Sequence, residues 1–138
     1  MRRGIISVLP LACLSTGLLA GDLAAPTAAK FIRVILQASG GGKVNCTDKE
    51  IVGALTDLGV GIDPESKVCW VGTDKEVARL AALKKLVICP NPDWIAMGAS
   101  VAVTAEGGRP AIYISLKNLG ANGVTLPDSI VKISKVVK

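Results

Sequence analysis

The sequence predicts an α/β fold, a mostly parallel five-stranded sheet flanked by helices in the order α-βα-βα-β-ββ-α, with an antiparallel hairpin. Three observations lead there. The tetrapeptide "TDKE" occurs at residues 47–50 and again at 73–76, each time after a short apolar run and before a helix-periodic one. Residues 100–116 then change to a period of two around "EGGRP", the pattern of a hairpin. Helix periodicity returns at both ends of this region. Strands joined through helices lie parallel, so the two repeated units set the sheet type.

The elements follow in order. From Pro26, the residues Ala28, Phe31, Ile35 and Ala38 recur at spacings of three and four, with Lys30, Arg33 and Gln37 opposite. That is the signature of an amphipathic helix, and proline suits its first turn because its missing N–H would have no partner there. "SGGG" at 39–42 ends it, and "KVNC" at 43–46 is the first strand. In "TDKE", Thr47 is expected to cap the free N–H groups of the next helix while Glu50 reaches back, a capping box. Ile51, Val52, Leu55 and Leu58 follow at helical spacing. "SKVCWVG" is the second strand, Thr73 to Glu76 repeat the box before Val77 and Leu80, and "KKLVICP" is the third strand. After the hairpin, "KNLGANGV" reads as a short turn-like helix. Residues 129–137 read as a final amphipathic helix with Ile130, Ile133 and Val137 in its stripe.

Composition bounds what this scaffold does. Half of the 138 residues are apolar, which suits one domain with a substantial core. Residues 1–20 have the layout of a secretory signal peptide: Arg2 and Arg3, an apolar stretch interrupted by Pro10, and small residues near Ala20. The expected mature protein is therefore a single exported domain over 21–138, periplasmic or secreted. Cys13 leaves with the leader, and loss of the two arginines leaves 14 basic against 11 acidic residues. That modest, scattered excess, with only Phe31, Trp70, Trp94 and Tyr113 as aromatics, excludes a nucleic-acid surface.

Chemistry is sparse in the sequence. There is no histidine, no G-x-S-x-G turn and no nucleotide fingerprint. In "SGGGKV" a glutamine stands where a phosphate loop needs its first glycine, and the run precedes a strand instead of a helix. No cofactor and no catalytic residue is assigned. Asp48 and Glu50 are two apart and do not share a helix face, so capping explains them better than acid–base work. Three cysteines remain, Cys46, Cys69 and Cys89, without the spacing of a metal site. Cys69 lies within a core strand and reads as an inert buried thiol. Cys46 and Cys89 end the first and third strands. If the first strand is central these two share a sheet edge, and both a disulfide and two free thiols fit. Trp94 and Met97, in the loop "NPDWIAMG", are candidates for anchoring a partner, against the plainer role of Trp94 as a cover for the core edge.

The stretch "AEGGRPAIYISLKNLGANGVTLPDSIVKI" resembles the end of the YfiR-like periplasmic proteins: a hairpin with a glycine-rich turn, a strand ending near an asparagine (Asn118), a glycine–aliphatic step (Gly123–Val124) and a closing helix. The resemblance extends over nearly the whole mature chain, which lacks the Tyr and Trp-Pro common in the family's first helix and so resembles a divergent member. It implies a regulator that binds the periplasmic sensor domain of a membrane diguanylate cyclase, holds it inactive, and responds to redox state through disulfides. Cys46 and Cys89 look like the partners of one family bridge; a second pair is missing. The expected function is thus a non-catalytic, exported regulatory binding protein. The alternative is an exported ligand-binding or self-associating module, forming a homodimer or larger assembly through an open sheet edge.

Overall fold

The computed structural model describes residues 23–137, and the leader read at 1–20 lies outside them. The chain opens with α1 (Ala25–Ala38), Pro26 in its first turn, burying Ala28, Ala29, Ile32, Ile35 and Leu36. The buried face is turned by about one residue from the expected one, and Phe31 lies at its margin. β1 (Lys43–Val44) follows, then α2 (Lys49–Asp57), β2 (Gly61–Ile62), β3 (Val68–Trp70), α3 (Asp74–Ala82) and β4 (Leu86–Cys89). A 3₁₀ helix (Pro92–Met97) leads to β5 (Val101–Glu106) and β6 (Arg109–Ser115), the expected hairpin, closed by the pair Glu106 and Arg109. The chain finishes with α4 (Leu116–Ala121), α5 (Asp128–Ile133) and β7 (Lys135–Val137).

The fold class is α/β with a mixed sheet, mostly parallel. Five strands run in the order β3-β4-β5-β6-β7, and only β5 and β6 pair antiparallel among them. Parallel β1 and β2 form a separate pair, joined to this sheet by a bridge between Asn45 and Cys69. Membership of the sheet differs from expectation in two ways. The first strand is not between the other two: it borders β2 and β3, and β4 lies beyond β3. The fifth place is filled by Lys135–Val137, so the closing helix stops at Ile133. The Ser134 hydroxyl donates to the Ile130 carbonyl at 2.6 Å and ends the turn. Branched Val136 and Val137 then pair with the free edge of β6, whose backbone groups need partners. Ile133, expected in an apolar stripe, is 68% exposed.

The sheet is buried on both faces, which is why β4 reads as the continuous apolar run "LVIC". The period of two sends Leu86, Ile88, Val101, Val103, Ile112 and Ile114 to one face, against Ile32, Ile35 and Leu36 of α1 and Ile51 and Leu55 of α2. Each fully buried aliphatic side chain here contributes roughly 1.5–3 kcal/mol. Cys69, Val87, Cys89 and Ala102 take the other face, under Val77 and Leu80 of α3 and Ile95 of the 3₁₀ helix.

Candidate functional site

The two "TDKE" segments mark strand-to-helix junctions, but their caps differ from the expected boxes. At the first, Asp48 is the N-cap: its Oδ1 accepts from the Glu50 and Ile51 N–H groups at 3.1 and 3.5 Å. At the second, Thr73 holds the N-cap position without bonding the helix through its side chain. The first turn of α3 is therefore left without a side-chain cap.

The two helices leave their strands toward opposite faces. Ile51 and Leu55 of α2 join the core with α1, whereas Val77 and Leu80 of α3 join the opposite one. The strand sequence across the molecule, β2-β1-β3-β4, thus reverses direction between β1 and β3. In open α/β sheets, such a reversal leaves a crevice beyond the carboxyl ends of the strands, where ligands characteristically bind. A cleft of about 390 Å³ lies there, lined by Asn45, Thr47 and Asp48 after β1, by Trp70, Gly72 and Thr73 at the end of β3, and by Glu76 and Arg79 of α3. A second hollow of about 370 Å³ shares Asp48, Trp70 and Gly72 with it and continues between α1 and α2. Asp48 stands close to Gly72 after β3: a Cβ placed on Gly72 would lie 3.8 Å from its Oδ2. Arg79 pairs with Glu76, and this bond holds the guanidinium even more firmly protonated than usual. Trp70 is 7% exposed, and its indole N–H has no hydrogen-bond partner.

Among the described residues no cysteine takes part in a bridge. Cys46, Cys69 and Cys89 are all free and buried. Because β3 stands between β1 and β4, Cys46 and Cys89 are two strands apart, about 9.6 Å at the usual strand spacing, where a disulfide needs Cα atoms within roughly 7 Å. They also face opposite cores. The expected pairing is corrected by the position of β1. Burial pushes the Cys46 thiol up to about 11 and that of Cys89 up to about 12, and raises Cys69 as well. The Sγ of Cys89 donates to the Asn91 carbonyl at 3.2 Å. Thiols in this state are poor nucleophiles and poor metal ligands. Among the described residues no three acidic, cysteine or histidine side chains form a metal-holding group, and no helix is long and apolar enough to cross a membrane.

The two candidate anchors separate. Trp94 packs against the Cys69–Cys89 core as the cover for its edge. Met97 is 41% exposed and lies on the rim of a broad groove of about 600 Å³ with Ile95, Asn118 and Val137, beside the last strand. The crevice residues Asp48, Trp70 and Thr73 were not legible as a site. Their one sequence signal was "TDKE" at the ends of two parallel strands, and capping explains that signal locally.

No protein-family model matches the chain, and no curated protein matches it. Solved structures do. A conserved domain protein from Vibrio cholerae aligns with a TM-score of 0.64 at 12% identity, over 85% of this chain and 61% of its own. An ABC domain from Streptococcus pneumoniae, solved in complex with L-Trp, aligns with a TM-score of 0.56 at 12% identity, over 80% of this chain and 62% of its own. The chain thus spans about three fifths of the length of each. At this identity the likeness establishes the α/β fold alone.

Proposed function

We propose that this chain is an exported, non-catalytic regulatory binding protein, acting by occupying the periplasmic sensor domain of a membrane protein, with a diguanylate cyclase as the partner implied by the YfiR-like stretch. The observation that carries the reading is the groove beside β7. An edge strand offers an outward row of backbone groups to which an incoming strand can add, and β7 pairs only with β6 among the described strands. Met97 stands next to that edge, and an unbranched thioether adapts to an irregular partner surface. The thiols, protonated and buried, favour recognition over thiol chemistry.

The test is recovery of partners from envelope extract by tagged protein comprising residues 21–138. Identification of a membrane cyclase, lost with Met97→Asp at unchanged melting temperature, supports the reading. Recovery of no membrane sensor protein overturns it. The second reading, self-association, is favoured by the same open edge. Sedimentation of the purified chain tests this second reading, because a self-assembling module forms a dimer or larger species without any other protein.

A further inference from the structure

We infer that the crevice over the carboxyl ends of β1 and β3 binds a small neutral polyhydroxylated ligand, of the size of a mono- or disaccharide. The inference is independent of the partner proposed above, because the β7 groove is lined by different residues.

Position is the first argument: the crevice lies where the strand order reverses, and helices diverge to opposite faces around it. The second is the Trp70 indole. An N–H removed from water without a partner is costly, and Trp70 is one of two described residues with such an orphaned atom. Trp70 lines both hollows, which places this orphaned donor in the crevice wall.

Ligand chemistry follows from the rest of the lining. Donors and acceptors are mixed. Thr73 leaves its hydroxyl unused as a cap, Asp48 has committed only Oδ1, and the Asn45 amide gives its Nδ2 to Cys69 Sγ at 3.7 Å, leaving the amide oxygen to accept. Hydroxyl groups, which both donate and accept, match such a wall better than a group that does only one. The charges point the same way. Arg79 is paired with Glu76, which offsets its charge, so an incoming anion would meet the carboxylates of Asp48 and Glu50. A cation would meet the positive N-terminal ends of two nine-residue helices. A neutral ligand avoids both costs. Two contiguous hollows of about 390 and 370 Å³ fall within the usual range of ligand pockets, about 300–1,000 Å³.

The protein holds two tryptophans, so Trp94→Phe leaves Trp70 as its sole indole reporter. In that background, D-glucose, N-acetylglucosamine and maltose are titrated by fluorescence and by calorimetry, with succinate and glycine as charged comparators. The expected result is a saturable change with at least one sugar below about 10 mM, weakened about tenfold or more by Asp48→Asn and by Thr73→Val. Asparagine caps a helix as well as aspartate does, so the first variant keeps its fold; thermal melts check both. The inference is overturned if none of the sugars binds, if only a comparator binds, or if sugar binding survives both substitutions.

Discussion

Replacing Gly98 by alanine probes the contact that seats the 3₁₀ helix on α3. Gly98 closes that helix with φ +118° and ψ −2°, and its N–H donates to the Ile95 carbonyl at 3.0 Å. A Cβ at this position would stand 2.6 Å from the Cβ of Ala81 in α3, well inside contact distance. Two costs therefore combine. A side chain forced into left-handed backbone costs about 1–2 kcal/mol, and overpacking against a helix costs about 1–3 kcal/mol. A loss of about 3 kcal/mol is expected, which at about 2.1 cal/mol/K per residue lowers the melting temperature of a domain this size by about 12 °C. The assay is thermal and urea unfolding of Gly98→Ala, Ala81→Gly and the double variant. Ala81→Gly alone should cost about 1 kcal/mol in helix propensity. The double variant removes the collision but keeps the backbone strain, so it should be more stable than the sum of the singles by about 1–3 kcal/mol. A Gly98→Ala variant within about 0.5 kcal/mol of the parent, or strictly additive losses, refutes the reasoning.

Further outcomes test other parts of the structure. Asp48→Ala should lose about 1 kcal/mol as α2 loses its cap, whereas Thr47→Ala should change stability by less than about 0.5 kcal/mol; chemical denaturation distinguishes them. Ile114, fully buried in the sheet, should cost about 2–5 kcal/mol as Ile114→Ala, while Ile133→Ala on the exposed end of α5 should be near neutral. Native Cys46 and Cys89 should resist alkylation at pH 8 and react fully after unfolding, by mass spectrometry. Their folded values stand above the ordinary 9.0, so stability is complete below pH 9 and declines as pH rises from 9 toward 11–12, where the unfolded chain loses protons that the folded chain retains. A flat stability profile from pH 8 to 11 contradicts this.

Where periodicity and turn chemistry agreed, the sequence was sufficient. Val77 and Leu80 at helical spacing, the run "LVIC" and the glycine turn at 107–108 all became the elements they announced. Two helix starts were recognised, yet the cap of the first was assigned one residue early at Thr47, because threonine and aspartate both cap and spacing alone does not rank them. The last element failed for a different reason. "IVKISKVVK" satisfies a helical stripe and a strand equally well, and the open edge of β6 decided for the strand at Val136 and Val137.

Local pattern thus determined the class of fold, the presence of two strand–helix units and the burial of Cys69, since each depends on neighbours within a few residues. Strand order did not depend on such neighbours. Which side of β1 receives β2 and which receives β3 is set by how the helices pack across the sheet, and that packing is non-local. It alone put a strand between Cys46 and Cys89, opened the crevice at Asp48 and Trp70, and left Met97 beside a free edge.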